Sequence, residues 1–172
     1  MLNISYISDS DERIEQVYQL VNAVFKDFEA KLWDERYERV TIEKLKSYAK
    51  KRELIIGEYE GVLVTAVHLE CIEKFSFRFG MLVTKDEFRG KGIANQMRLY
   101  VEEEAKAKGA TNMLLEILKP EYETHPEKDA IQQWYQRYNY SLSEIQPFSQ
   151  WYPHLAKIIK IPSELYILSK LL

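Results

Sequence analysis

The sequence has little cysteine: Cys71 is the single one among 172 residues. One cysteine cannot form an internal disulfide, and no cysteine or histidine spacing typical of a metal site occurs. A disulfide framework is therefore excluded, and no metal is expected. Cys71 lies within a strand-like segment, where cysteine commonly behaves as a small apolar residue, so we expect it to be buried.

Long hydrophobic runs and an excess of basic charge are also missing. No run approaches the ~18 apolar residues that a membrane-spanning helix needs, and residues 1–4 have neither the basic start nor the apolar core of a signal peptide. The formal net charge of −3 argues against a nucleic-acid partner, which would need a basic face for its phosphates. A cytoplasmic protein that binds neither membrane nor nucleic acid is expected.

What the sequence does contain is the composition of an ordinary globular protein. Hydrophobic residues make up 46% of the chain and charged residues 30%, without repeats or low-complexity tracts, so an ordered core is expected. Domains commonly contain ~100–200 residues. A single domain covering residues 1–172 is therefore predicted.

One stretch, Phe88-Arg89-Gly90-Lys91-Gly92-Ile93-Ala94, joins two contrasting patterns. Before it, every second residue is apolar, as expected of a strand with two distinct faces: Phe75, Phe77, Phe79, Met81 and Val83. After it, apolar residues recur at three- and four-residue steps up to Gly109, which predicts a helix. A helix N-terminus has free N–H groups and a positive dipole, and glycines let a ligand approach the backbone. The stretch is thus expected to bind a phosphate, with added positive charge from Arg89 and Lys91.

Two common phosphate loops do not fit this stretch. A Walker loop needs Ser or Thr after the lysine, where Gly92 follows Lys91, and the dinucleotide fingerprint needs a third glycine where Asn95 stands. The pattern Arg89-x-x-Gly92-x-Ala94 instead resembles the pyrophosphate motif Gln/Arg-x-x-Gly-x-Gly/Ala of the GNAT superfamily, the acetyl-CoA-dependent N-acetyltransferases. The resemblance implies acetyl-CoA as co-substrate, with contacts from Arg89, Gly90, Lys91, Gly92, Ile93 and Ala94, and from the backbone of Leu82 and Val83.

The order of the predicted elements resembles that family over most of the chain. Residues 54–59 and 62–69 form a hairpin, residues 75–84 add a third antiparallel strand, and a parallel strand at 112–118 follows the helix. The predicted fold is α/β (α+β), with a mixed, mostly antiparallel sheet of about six to seven strands flanked by helices on both faces.

N-acetyl transfer needs a base, because amines are mostly protonated near neutral pH and an ammonium has no lone pair. Glu116 stands in an apolar strand, where a carboxylate is costly unless it faces a cleft. In some GNAT enzymes a glutamate in this strand is the base, so the resemblance implies that role for Glu116. The alternative is that Glu116 faces solvent or pairs with a neighbouring strand. Glu70 and Glu73 are further candidates for the base.

A second GNAT-like signature lies between residues 130 and 140. It contains the pair Trp134-Tyr135, followed by Asn139 where the family has glycine. Asn often adopts the left-handed conformation that ends a helix, so Asn139 is expected in that conformation. The resemblance implies that Tyr135 is the general acid that protonates the departing thiolate. Packing within an aromatic cluster is the alternative.

Together these residues predict an N-acetyltransferase. It would move an acetyl group from acetyl-CoA to a primary amine of a small molecule, or to an exposed amino group of a peptide, by direct attack in a ternary complex. The alternative is a non-catalytic acyl-CoA-binding or sensing module. Three aromatic residues, Trp33, Tyr37 and Trp151, together with the acidic residues near 34–38, favour a cationic or aromatic amine. The aromatic-rich insertion at residues 147–163 has three interpretations that stay open: it shapes substrate access, forms a homodimer contact, or packs in the core.

Overall fold

The computed structural model describes the whole chain, residues 1–172, and contains seven strands and five helices. In chain order they are β1 (Leu2–Tyr6), α1 (Ile14–Phe28), α2 (Ile42–Lys50), β2 (Leu54–Tyr59), β3 (Val62–Glu73), β4 (Ser76–Thr84), α3 (Ile93–Ala107), β5 (Asn112–Pro120), α4 (Pro126–Gln136), β6 (Ser141–Pro147), α5 (Phe148–Trp151) and β7 (Ser163–Leu171). A single turn of 3-10 helix at Asp86–Phe88 separates β4 from α3. None of the helices combines the length and the apolar character needed to cross a membrane.

All seven strands join one sheet, in the order β1-β2-β3-β4-β5-β7-β6. β4 and β5 pair in parallel, and every other neighbouring pair is antiparallel. Two parallel neighbours need a crossover connection, which α3 supplies. The predicted mixed, mostly antiparallel sheet is therefore confirmed.

Each face of the sheet carries its own hydrophobic core, because side chains along a strand point alternately to the two faces. The helices α3 and α4 pack on one face, where Met97, Val101 and Ala105 of α3 cluster with residues of β3, β4 and β5. The helices α1 and α2 pack on the other face, with Val17 and Val21 of α1 buried there. These are called the α3/α4 face and the α1/α2 face below.

The alternation along β4 breaks at Met81, where a φ of +58° and a register shift relative to β3 mark a β-bulge. Phe77 and Phe79 lie on the α3/α4 face, whereas Met81 and Val83 lie on the α1/α2 face. The prediction of one continuous period of two is therefore wrong, because the bulge inverts the alternation. Phe75 precedes the strand and is 51% exposed.

The hairpin of β3 and β4 extends beyond the body of the sheet. β3 continues to Glu73, past the predicted end at Leu69, and residues 71–75 are exposed. Cys71 lies in this extension, and its Sγ is 3.2 Å from the carbonyl oxygen of Glu73. The prediction that Cys71 is buried is wrong, because the strand runs past the residues that the helices cover.

β4 and β5 stay paired over three residues only, from Ser76 opposite Asn112 to Arg78 opposite Leu114. Both strands continue for several residues beyond this point, and each keeps its antiparallel neighbour on the other side. Their carboxyl halves therefore diverge. The divergence opens a gap within the sheet, and the predicted site residues lie around it.

Candidate active site

The Gly-rich loop before α3 presents free backbone donors. Gly90 and Gly92 have φ values of +74° and +76°, in the left-handed region that favours glycine. The first backbone bond of the helix runs from Gln96 N–H to the carbonyl oxygen of Gly92 at 3.0 Å. The first-turn N–H groups without a partner in the protein are those of Ile93, Ala94 and Asn95. A Cβ added to either glycine would meet nothing within 4 Å, so the loop is open to an anion.

The basic side chains of this loop point to solvent. Arg89 pairs with Asp86 at 2.9 Å, and the two side chains are 52% and 73% exposed. Lys91 Nζ lies 4.7 Å from the centroid of the Phe88 ring. Ion pairs this exposed contribute little to stability. Arg89 can therefore exchange Asp86 for an anionic ligand at small cost.

A cleft of about 750 Å³ opens beside the loop. Lys85 and Arg89 line one side of it, residues of α1 line a second side, and the connection from β5 to α4 lines a third. The lining reaches Pro120 at the end of β5 but includes neither Glu116 nor Tyr135. The cleft thus lies between Arg89 of the Gly-rich loop and Pro120 at the end of β5, and it stops short of both predicted catalytic residues.

The end of β4 borders this gap. Leu82 is half-buried against the α3/α4 face, and Val83 is buried on the opposite face. Thr65 Oγ1 donates to the carbonyl oxygen of Val83 at 2.6 Å. Thr84 is buried, yet its hydroxyl has no hydrogen-bond partner. Buried hydroxyls are seldom left unpaired, so Thr84 offers an unused polar group at the end of β4.

Glu116 lies two residues beyond the last β4–β5 pair, on the α1/α2 face, and its side chain is 24% exposed. Arg78 Nη1 donates to Glu116 Oε1 at 2.5 Å, and Tyr152 Oη donates to Oε2 at 2.9 Å. Arg78 also donates to Glu70 Oε1, from Nε at 2.9 Å and from Nη2 at 2.6 Å. Three adjacent strands thus carry the row Glu70, Arg78 and Glu116. Two carboxylates and one guanidinium give the row a formal charge of −1.

The protonation of the groups that bond Glu116 is fixed near neutral pH. Burial alone would lower the pKa of Arg78, but the charges of Glu116 and Glu70 outweigh burial and raise it. Burial, followed by the negative charge of Glu116, raises the pKa of Tyr152 to about 12. Arg78 therefore stays charged and Tyr152 stays a hydrogen-bond donor.

Tyr135 lies on α4 in the aromatic cluster of the α3/α4 face and is 8% exposed. Its ring centroid is 4.8 Å from that of Trp134 and 5.8 Å from that of Phe79. Its hydroxyl makes no hydrogen bond within the protein, and burial raises its pKa. Tyr135 and Glu116 therefore lie on opposite faces of the sheet. Asn139 has a φ of +69°, which confirms the predicted left-handed conformation.

No protein-family model matches this sequence, and no curated protein does. Solved structures match it over its full length. The PaiA N-acetyltransferase from Thermoplasma acidophilum, in complex with coenzyme A, aligns with a TM-score of 0.76 at 16% identity, covering 100% of this chain and 99% of that one. An aminoglycoside 6′-N-acetyltransferase complexed with coenzyme A gives 0.72 at 12% identity, over 98% and 96%. A GNAT family acetyltransferase from Elizabethkingia anophelis with acetyl-CoA bound gives 0.65 at 13%, over 99% and 98%.

The chain has the GNAT fold. These structurally similar proteins bind coenzyme A or acetyl-CoA. The TM-scores establish the shared fold. At identities this low, the acceptor of this chain has to be argued from its own residues.

Arg78 and Tyr152, the two residues that bond Glu116, were not predicted as site residues from the sequence. Arg78 carried little signal, because it stands at a polar position of the alternation, where a charge is ordinarily solvated. Tyr152 carried none, since its bond to Glu116 joins residues 36 positions apart and depends on how the insertion folds back.

Three side chains beside the site lie close enough together to hold a metal ion. Single ligand atoms of Glu53, His68 and Glu70 lie within 4.8 Å of one another. His68 Nε2 is 3.1 Å from Glu53 Oε2, and Arg78 bonds Glu70. A guanidinium so close to one carboxylate opposes a second cation there. The arrangement therefore fits a hydrogen-bonded network better than a metal centre.

Proposed function

We propose that this protein is an acetyl-CoA-dependent N-acetyltransferase. It would transfer the acetyl group to a primary amine of a small molecule or to an exposed amino group of a peptide, by direct attack in a ternary complex. The observation that carries the proposal is the gap between β4 and β5, which has free backbone donors at its mouth and Glu116 near its closed end.

The residues around the gap fit acetyl-CoA as a substrate. The free N–H groups of α3, with Arg89 beside them, would hold the pyrophosphate. Backbone groups of Leu82 and Val83 would bond the pantetheine arm. When bound, acetyl-CoA supplies a thioester whose carbonyl carbon is open to attack by an amine.

Glu116 would take the proton that the amine releases as its nitrogen bonds to the acetyl carbon. A carboxylate has about four lone-pair sites, so the two bonds from Arg78 and Tyr152 leave room for an amine or a water. As the carbon–sulfur bond breaks, Tyr135 would donate a hydrogen bond or its proton to the thiolate. Its raised pKa keeps that proton on the phenol at neutral pH. The products are the acetylated amine and free CoA thiol.

A specific observation favours a second candidate, a non-catalytic acyl-CoA-binding module. Both oxygens of Glu116 are already bonded, and Tyr135 is buried without a polar contact. The cleft reaches the Gly-rich loop but neither of these residues. A protein that binds the nucleotide end without turnover would need nothing more.

The test is thiol release from acetyl-CoA with a panel of polyamines, amino acids, aminoglycosides and peptide N-termini, using wild type, Glu116→Gln and Tyr135→Phe. Turnover on one acceptor, lost in both variants, would support the enzyme. If no acceptor is turned over while acetyl-CoA still raises the melting temperature, the binding module is favoured. No thermal shift at all would contradict both proposals.

A further inference from the structure

A buried ion pair lies outside the row of Glu70, Arg78 and Glu116. Glu29 follows the end of α1, Lys128 lies in the first turn of α4, and both are at most 5% exposed. Lys128 Nζ donates to Glu29 Oε1, and burial lowers the pKa of Lys128 against the opposing pull of Glu29. Desolvating two charges commonly costs as much as their attraction returns, so an apolar pair of similar size would be no less stable. The pair therefore calls for a reason other than stability.

Glu29 also belongs to a roof over the ends of β5 and β7, formed by residues 29–40 and 148–161. The two roof segments share one buried apolar cluster with those strand ends. Two backbone hydrogen bonds join the segments directly, from Asp34 N–H to the Ile158 carbonyl at 3.0 Å and from Lys160 N–H to the Leu32 carbonyl at 2.7 Å. The segments therefore pack as one unit.

A chain of contacts leads from the ion pair through the roof to Glu116. Trp33 Nε1 donates to Glu29 Oε2 at 2.7 Å, and the Trp33 ring meets Phe148 edge-on at 5.5 Å. Phe148 stacks with Tyr152 at 5.3 Å, and Tyr152 bonds Glu116. The ion pair is thus connected, contact by contact, to the carboxylate that would act as base.

We propose that Glu29 and Lys128 are positioning residues for the acceptor site. Their ion pair fixes the roof on α4, and the roof holds Tyr152 against Glu116. Because Tyr135 lies on the same helix as Lys128, the pair also sets the distance between the two sides of the site. The inference rests on the proposed function, since it assigns what the pair does for acetyl transfer.

The kinetic test compares Lys128→Met with the double variant Glu29→Leu/Lys128→Met. The matched control is Lys119→Met, which removes an ion pair to Asp129 on the same side of the molecule but outside the roof. We expect Lys128→Met to raise the acceptor KM about tenfold or more, because a displaced roof weakens binding of the acceptor in the ground state and the transition state alike, with the acetyl-CoA KM unchanged. The double variant should regain the wild-type melting temperature without regaining the acceptor KM, since Trp33 Nε1 then has no acceptor. A wild-type acceptor KM in either variant would overturn the proposal.

Hydrogen exchange tests the positioning without any turnover. Lys128→Met should speed exchange in both roof segments together and leave residues 93–107 unchanged, whereas Lys119→Met should leave the roof unchanged. Faster exchange confined to residues 126–136 would overturn the proposal. If wild type turns over no acceptor but the roof responds as expected, the proposed function fails while the structural link stands.

Discussion

The two ends of the gap between β4 and β5 are built in different ways. The proposed cofactor end consists of one continuous stretch, from Thr84 to Asn95, whose free donors are backbone N–H groups. The proposed acceptor end brings together Glu70, Arg78, Glu116 and Tyr152, from three strands and an insertion. A site built from one continuous stretch can be recognised in the sequence as a motif. A site assembled from residues far apart in the sequence can be recognised only once the fold is known.

The largest effect is expected at the acceptor end, from Glu116→Gln. General-base catalysis contributes about 10²–10⁴-fold, so kcat should fall by that order. Glu70→Gln is the matched control, because it removes the other carboxylate of Arg78 at a similar exposure of 27%. Steady-state kinetics of both variants decides the assignment. A larger loss in Glu70→Gln would move the role of base to Glu70.

Gly92→Val should weaken the binding of acetyl-CoA at the proposed cofactor end. A side chain at a φ of +76° costs about 1–2 kcal/mol and shifts the donors of α3. Losing one charge-assisted hydrogen bond costs about 1.5–3 kcal/mol, which is about ten- to a hundredfold in affinity. Titration calorimetry with acetyl-CoA should show this loss. Gly109→Val places the same strain at the other end of the same helix, where φ is +88°, and should leave the affinity unchanged.

Sequence patterns predicted the strand, the Gly-rich loop and the helix of the proposed cofactor end because each of these features is local. The glycines and the change from period two to helical period define the loop, and the structure has the predicted strand, loop and helix there. Patterns failed where one residue alters the register, as Met81 does in β4. Sequence patterns also indicated Glu116 as a candidate base, but not its hydrogen bonds with Arg78 and Tyr152. The bonds of Arg78 and Tyr152 depend on strand order and on the packing of the insertion, which no local pattern encodes.

Thr84→Val tests whether the cofactor end holds an unused polar group. Its buried hydroxyl has no partner, so removing it should raise the free energy of unfolding by about 1 kcal/mol. Thr65→Val is the control on the paired strand, because Thr65 Oγ1 bonds the Val83 carbonyl and its loss should lower the stability by a similar amount. Chemical denaturation measures both. Equal destabilisation by the two variants would contradict the assignment.

The smallest expected effect is a pH dependence at the acceptor end. Burial lowers the pKa of His68, and its hydrogen bond to the Glu53 carboxylate opposes this only in part. Glu70 and Arg78 also face the ring, and Tyr48 stacks on it. The folded pKa therefore lies below the unfolded value of about 6.5. Between the two values the unfolded chain binds a proton that the folded protein does not. Stability should thus be complete above about pH 6.5 and fall as the pH drops toward the folded pKa.

His68→Phe isolates this contribution, because phenylalanine can keep the stack on Tyr48, now 3.7 Å between ring centroids, but cannot titrate. Melting temperatures from pH 8 to pH 5 should fall less steeply in His68→Phe than in wild type. Parallel curves would show that His68 does not titrate differently on folding. A steeper wild-type curve would show that protonation of the chain at His68 lowers the stability of the folded protein at low pH. The Gly-rich loop contains no histidine and cannot respond in this way.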